Sequence, residues 1–473
     1  MAIRCETVRP HVFVRVQRNV LAIPAMVCSE MLMKCSAIFA WSFVLCLGVA
    51  VPVARAQTST GPGTAAPSGG SSLPLRLSRT QAVEEALAHN QAIAAAREQV
   101  EEAKAGITIA TAWADPALVT EEDQLTSFVN PHSATEHDVG LQFTVPYPYR
   151  THLNGRVAHA TWQQSQYALT QLQQQIASQT AQAYDAILVA LRHHDDLTQS
   201  QEMSRQFLEK TEARYRAGTA AKLDVLKARV DFSKTENDLI ANEHALAAAR
   251  AGLNKLLGWP LPSVLEPADA LDVPEPFPEF AALKELAMNS RPELISIAVQ
   301  QKAAGDSTVL AKQYWVPDLN LTLWRSYIDG APNSYKLDAG ISVPLFFWQH
   351  QKGAVAQAKH HERELQATGA DLVGQVLLDV QNSYSTATTA RRQAVYLRDE
   401  LLPEAQAAYK AAFASYSLGG SSALDLLDAK GALRDAESQY TDALGAVNDA
   451  RADLERAVGA PLPSVSPGTP HEK

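Results

Sequence analysis

Residues 414–428 read Ala-Ser-Tyr-Ser-Leu-Gly-Gly-Ser-Ser-Ala-Leu-Asp-Leu-Leu-Asp, and residues 213–226 read Ala-Arg-Tyr-Arg-Ala-Gly-Thr-Ala-Ala-Lys-Leu-Asp-Val-Leu. At an offset of 201 positions Tyr215 meets Tyr416, Gly218 meets Gly419, and Leu223-Asp224 meets Leu424-Asp425. The register holds through Ala228 with Ala429 and Arg250 with Arg451, then reaches Gly258-x-Pro260-Leu261-Pro262 against Gly459-x-Pro461-Leu462-Pro463. Pro116 meets Pro317 at the same offset, while Val145-Pro146 and Gly155 meet Val343-Pro344 and Gly353 at 198. A long fixed period marks one structural unit used twice. The copies run over 75–262 and 279–463, joined by a Pro-rich linker at 263–278 and followed by a tail at 464–473.

Working outward, the stretches His152–Arg216 and His350–Ser417 are rich in Ala, Gln, Leu and Glu, and their only proline is Pro403. These are good helix formers. A helix of about 64 residues is about 96 Å long at about 1.5 Å per residue, more than a globular domain of this size spans. Each stretch ends at glycine, Gly218 or Gly419-Gly420, and a second helical pattern follows to Leu257 or Val458. Glycine just past a helical run is a stop signal, so each copy holds a long antiparallel helical hairpin.

Before each hairpin lies a strand pattern. Val139, Leu141, Phe143, Val145 and Tyr147 alternate with Asp138, Gly140, Gln142, Thr144 and Pro146. In the second copy Leu319, Leu321 and Leu323 alternate with Asp318, Asn320 and Thr322, and Tyr335, Leu337, Ala339, Ile341 and Val343 with Lys336, Asp338, Gly340 and Ser342. A period of two puts one apolar face opposite one polar face. A fourth strand, around Pro116–Phe128, is interrupted by Glu121-Glu122-Asp123. The length suits a transmembrane β-strand of roughly 9–11 residues, although hairpins packed on helices in a soluble α+β domain satisfy the same alternation. Four strands cannot close a barrel, which needs at least about eight, so a barrel reading requires the chain to assemble with copies of itself.

The chain has 473 residues, 41 Lys+Arg against 51 Asp+Glu, and four cysteines, Cys5, Cys28, Cys35 and Cys46. After Lys34 an apolar run from Ala37 to Val51 leads to Val53-Ala54-Arg55-Ala56, the pattern of a cleavable export signal over residues 1–56, with 1–30 reading as a basic extension or a misassigned start. Residues 57–74 are Gly/Ser/Pro-rich and read as a disordered leader. Removing residues 1–56 takes away six basic and two acidic groups, leaving 35 against 49, a net charge of −14, and no cysteine. That excludes disulfides, thiolate metal sites and a cysteine nucleophile from the mature chain. The acidity argues against a nucleic-acid partner. No G-x-S-x-G, H-E-x-x-H or P-loop is present, so no catalytic residue or cofactor site is assigned and the chain reads as no enzyme.

In these features the chain resembles the TolC-like outer membrane factors over residues 75–463, and the two quoted tip segments carry that resemblance most specifically. The segment Gly340-Ile-Ser-Val-Pro-Leu-Phe-Phe-Trp-Gln-His-Gln-Lys-Gly353 is similar to the strand-to-helix junction of the cobalt–zinc–cadmium efflux branch, with His350-Gln351 where that branch has Asn-Arg. The resemblance implies a mainly α fold with transmembrane β: a homotrimer whose three four-stranded contributions make a twelve-stranded barrel in outer membrane lipid, continued by a periplasmic α-helical barrel. It implies an exit duct in the outer membrane, passive for metal ions or drugs, with a periplasmic adaptor and an inner-membrane resistance-nodulation-division pump as partners. A type I secretion duct, or a periplasmic coiled-coil scaffold with no pore, stand as alternatives.

The resemblance places Asp425 and Asp428 at the periplasmic entrance, with Asp224 the matching carboxylate of the first hairpin. As local chemistry, carboxylates near a helix N-terminus are favourable in their own right, but Asp224 and Asp425 lie six residues past their glycines, late for capping. Arg216, Ala217, Gly218, Leu418 and Gly419 are helix-ending residues that in related ducts also meet the adaptor. The family's latch arginine near Ser421 is missing, which leaves Arg214, Arg216 or Lys222 on the other hairpin as substitutes, with Tyr416 a further latch residue. His193-His194-Asp195-Asp196 and His360-His361-Glu362 read as solvated helix faces, since adjacent helical residues point apart, and no metal site is assigned. Trp113, Trp162, Trp315, Trp324, Trp348, Tyr147, Tyr149 and Tyr327 read as aromatic belt residues at the strand ends.

Overall fold

Each copy of the repeat folds in the same order, two short helices, two strands and two long helices, as the computed structural model shows for residues 75–123, 136–328, 332–343 and 345–463. All of these belong to one unit, Ser72–Lys473. The expected export signal and leader lie outside the described residues. The first copy contains β1 (Leu75–Leu77), α1 (Arg79–His89), α2 (Gln91–Thr111), β2 (Ala117–Asp123), β3 (Glu136–Val145), α3 (Pro148–Arg216) and α4 (Lys222–Leu257). After β4 (Leu265–Pro267) the second contains α5 (Phe280–Ser290), α6 (Pro292–Lys312), β5 (Asp318–Ile328), β6 (Ser334–Ser342), α7 (Phe347–Tyr396), α8 (Leu402–Leu418) and α9 (Ala423–Val458).

The repeat seen in sequence reappears in the packing. Ala82, Ala86, Leu253 and Leu257 are fully buried in one cluster. Leu283, Ala287, Leu454 and Val458, each 201 positions later, are buried in the equivalent cluster. α3 runs unbroken for 69 residues, about 104 Å at about 1.5 Å per residue. Its counterpart does not. Between α7 and α8, Leu397–Leu401 form a π-helical segment. Pro403 has no N–H to donate, and its ring crowds the carbonyl four residues back, so the helix widens locally ahead of it. The expected linker also holds unforeseen structure: β4 pairs in parallel with β1, Leu265 opposite Leu75.

The four longer strands form one antiparallel sheet in the order β2-β3-β5-β6. The two hairpins are joined through β3 and β5, from Val145 opposite Leu319 to Glu136 opposite Ile328. The acidic run that weakens the β2 signal does not break it, because every residue of β2 pairs with β3. Register places Leu118, Leu141, Leu323 and Leu337 in one row across the sheet, and Val145, Leu319 and Ile341 in another. These apolar side chains are largely exposed, Leu141 at 43% and Leu337 at 70%. The opposite face is polar: Thr144 Oγ1 donates to Asn320 Oδ1 at 3.0 Å, and the Trp324 indole N–H donates to Asp338 at 2.6 Å. Trp324 is therefore no belt residue. Its ring lies over Gly140, where a Cβ would stand 2.5 Å from the indole. Trp162 also departs from the belt; it sits within α3, edge-on to His159. Trp113, Trp315, Trp348, Tyr147, Tyr149 and Tyr327 are exposed at or near the strand ends.

Candidate functional site

The far end of the helical hairpins brings the two quoted segments together. At the first turn, Gly218 takes φ +74°, with its N–H donating to Tyr215 O at 3.0 Å and the Thr219 N–H to Arg214 O at 2.9 Å. At the second, Gly419 takes φ +85°, its N–H donating to Tyr416 O at 3.1 Å and the Gly420 N–H to Ser415 O at 2.9 Å. This is the Schellman pattern, and it favours a residue without a Cβ at the left-handed position. Beside these turns Leu418 is 89% exposed, and Tyr215, Leu223 and Leu424 are exposed too. Arg216 is exposed, with its Nε donating to Glu212 O at 3.4 Å, and Ala217 caps α3.

The expectation that Asp224 and Asp425 come too late for capping is wrong. Ser422 is the N-cap of α9: its hydroxyl accepts from the Asp425 N–H at 3.2 Å, and the Ser422 N–H donates to the Asp425 carboxylate at 3.0 Å. Asp224 holds the same third helical position in α4 and accepts from the Ala221 N–H at 3.3 Å. Ala221 has no side-chain oxygen to return the bond, so the first cap is one-sided. The turns are longer than a bare glycine stop, and that moves both helix starts forward to the aspartates. The Ser422 backbone N–H, then its hydroxyl, hold the Asp425 carboxyl below the usual carboxylate range. Asp428 is exposed one turn further along the same face, and no ion pair holds it among the described residues.

Of the latch candidates, the structure joins two. Arg214 Nη1 donates to Tyr416 O at 2.8 Å, and its guanidinium lies 4.6 Å from the Tyr416 ring centroid. Tyr416 is buried, with its hydroxyl 2.8 Å from Thr211 Oγ1 and its ring edge-on to Phe207. Thr211 donates its own proton to Phe207 O at 2.7 Å, so the tyrosine is the donor in that pair. Lys222 is exposed and takes no part. Arg214 thus grips the other hairpin of its own chain rather than an aspartate.

Family comparison decides what this architecture belongs to. The family model for outer membrane efflux proteins matches residues 82–259 and again 283–460. The chain belongs to the outer membrane efflux protein family. It is a channel of the outer membrane and not an enzyme, with its sheet in the membrane and its long helices in the periplasm. It is 25% identical to the cobalt-zinc-cadmium resistance protein CzcC of Cupriavidus metallidurans, over 78% of this chain and 86% of that one. It is 25% identical to the outer membrane protein TolC of Vibrio cholerae, over 62% of this chain and 69% of that one. Among solved structures, the outer-membrane channel OprN superposes with a TM-score of 0.70 at 18% identity, covering 81% of this chain and 90% of that one. Channels of this family work with adaptors and inner-membrane pumps.

One cluster escaped the sequence reading. Lys430, on α9, is only 4% exposed; its ammonium donates to Asp231 of α4 at 2.6 Å and to the Ser204 hydroxyl of α3. Arg434, four residues further along α9, reaches Asp238 at 3.4 Å. Burial lowers the Lys430 pKa, and Asp231 works against that shift. The repeat register held a signal: it pairs Lys430 with Arg229, which is exposed and binds Glu212 at 3.2 Å. One copy turns its basic residue outward and the other inward.

Proposed function

We propose that three copies of this chain close into a twelve-stranded barrel and act as the passive exit duct of a tripartite efflux system, gated at the helical tip. The observation that carries this reading is the sheet. It presents an exposed apolar face and ends in two open edges, β2 and β6. Backbone groups on an open edge have no water to bond inside a bilayer, so β6 of one copy joins β2 of the next until the barrel closes. Export depends on the signal read over residues 1–56.

At the other end, Asp224, Asp425 and Asp428 repeat three times around the entrance and attract cations. The exposed apolar side chains beside Gly218 and Gly419, with Leu418 foremost, suit an adaptor tip. Arg214 and Tyr416 hold the hairpins of one chain together while the entrance is closed. Likeness to a cobalt-zinc-cadmium resistance protein favours metal ions as cargo and a resistance-nodulation-division pump as the energy source.

The test uses the purified trimer in planar bilayers. Asp425→Ala/Asp428→Ala should change single-channel conductance and relieve block by multivalent cations added on the tip side. Asp425 is also a cap, so Ser422→Ala serves as control, because it weakens the cap and leaves the charge. If the double variant conducts and blocks as wild type does, or if Ser422→Ala reproduces its effect, the entrance assignment fails.

A further inference from the structure

A cavity of about 700 Å³ opens where α6 gives way to β5, beside the first turns of α3 and α7. That volume suits a small organic molecule, since ligand pockets run from about 300 to about 1,000 Å³. Leu310 and Ala311 of α6, Val316 ahead of β5 and Ala354 of α7 give it an apolar lining. Tyr314 adds an aromatic ring, 5.7 Å from that of His350. Arg150 and Asp318 are the only charged residues that line it, and they cancel. Arg150 Nη1 donates to both Asp318 oxygens, at 3.0 and 2.9 Å, and Nη2 donates to Val316 O at 2.6 Å. The Tyr147 N–H also donates to Asp318, at 3.1 Å. The side chains of Asn154 and Ser342 line the same space and have no hydrogen-bond partner among the described residues.

Asp318 lies two residues before Asn320 on β5 and opposite Ser342 on β6, so both belong to the polar face of the sheet. The cavity therefore opens on the side that a closed barrel turns inward. A second, independent observation concerns the helical wall next to it. From Val157 to Tyr184, α3 runs for 28 residues without Asp, Glu, Lys or Arg, although 19% of the whole chain is charged. Nine of those 28 are glutamine. Amides hold an uncharged polar molecule by hydrogen bonds and exert no net pull on an ion.

We propose that this cavity is a niche in the wall of the duct for an uncharged organic molecule, one with an apolar ring and a few hydrogen-bonding groups. The ring lies on the apolar lining beside Tyr314, and the polar groups meet the Asn154 amide and the Ser342 hydroxyl. A bare metal ion finds nothing there, because the one carboxylate is already held by Arg150. The inference rests on the trimeric duct, which turns this face toward the lumen and repeats the niche three times. It adds a second class of cargo to the ions that the acidic tip attracts.

The test is equilibrium dialysis of the full-length trimer in detergent against radiolabelled N-acetyltryptophanamide, a neutral molecule with one aromatic ring and two amides. Wild type should bind one molecule per chain, half-saturated at about 0.1 mM. Ala311→Phe fills the niche and should weaken binding by about tenfold or more. Asn154→Ala removes one hydrogen bond and should weaken it by about fivefold, and it serves alone if Ala311→Phe does not assemble. Cationic tryptophanamide and anionic N-acetyltryptophan should each bind about threefold or more weakly than the neutral probe, since no uncancelled charge offsets their lost hydration. Binding that neither substitution changes is partition into detergent and overturns the niche, and tighter binding of the cation overturns the uncharged class. A wild-type trimer that conducts in planar bilayers but does not bind the probe overturns the niche and leaves the duct intact. One that carries no current overturns the duct reading, and this proposal with it.

Discussion

Asp231→Ala should loosen the tip far more than Lys430→Met, although the two residues form one ion pair. Removing the carboxylate leaves a charged ammonium that is 4% exposed, with only the Ser204 hydroxyl to bond. Breaking a buried pair by deleting one partner costs about 3–5 kcal/mol. The Asp231 side chain is 21% exposed, so the pair is partly screened and the lower end, about 3 kcal/mol, applies. Lys430→Met instead removes the buried charge, keeps most of the side-chain volume, and leaves a carboxylate that water can reach, at a cost of about 1 kcal/mol. Lys430→Met/Asp231→Leu should recover most of the loss, since apolar replacement of a buried pair is often close to neutral. Hydrogen exchange of the α4 and α9 amides near this pair reads the difference. Exchange should be about 100-fold faster in Asp231→Ala and within about tenfold of wild type in Lys430→Met. The pH dependence has a definite sign. A lysine whose pKa is lowered in the folded state binds fewer protons there than in the unfolded chain, so stability rises with pH up to about 10.5. The Asp231→Ala deficit should therefore shrink between about pH 7 and about pH 10. Equal exchange in the two single variants, or a double variant as loose as Asp231→Ala, would refute the stranded ammonium as the cause.

Burial first, then the nearby Asp196, push the Glu437 carboxyl up to about 7, and its Oε2 has no partner among the described residues. An acid with a raised folded-state pKa stabilises the fold at low pH and loses that contribution as pH rises from about 4.5 to about 7, so Tm should be higher at pH 5 than at pH 8, and Glu437→Gln should flatten the difference. Gly140→Ala should displace the Trp324 indole and its bond to Asp338, costing about 1–3 kcal/mol; a shifted tryptophan emission and a less heat-resistant trimer would report it, and Trp324→Ala in the same chain should relieve the overlap. Tyr416→Phe removes the hydrogen bond to Thr211 at a cost of about 1 kcal/mol, and unchanged exchange at Thr211 and its neighbours would count against Tyr416 as a tie between the hairpins.

What the sequence determined by itself was whatever depends on near neighbours and on repetition. Alternation with a period of two marked β3, β5 and β6, and proline-free helix formers marked α3 and α7. The 201-residue offset paired Gly218 with Gly419, and the same offset pairs the buried Ala82 and Leu253 with Leu283 and Leu454. Helix starts were harder to read, because capping depends on where the turn releases the chain, and Ser422 rather than Gly419 decides that. Only the tertiary structure settled the contacts made across the fold. The β3–β5 pairing unites the two copies in one sheet, and the separation of its apolar and polar faces carries Trp324 inward over Gly140. Lys430 and Asp231 lie 199 residues apart in sequence. Their spacing carries no period and each would be stable in water alone. Only the packing of α3, α4 and α9 around them makes the pair buried, and only burial makes it matter.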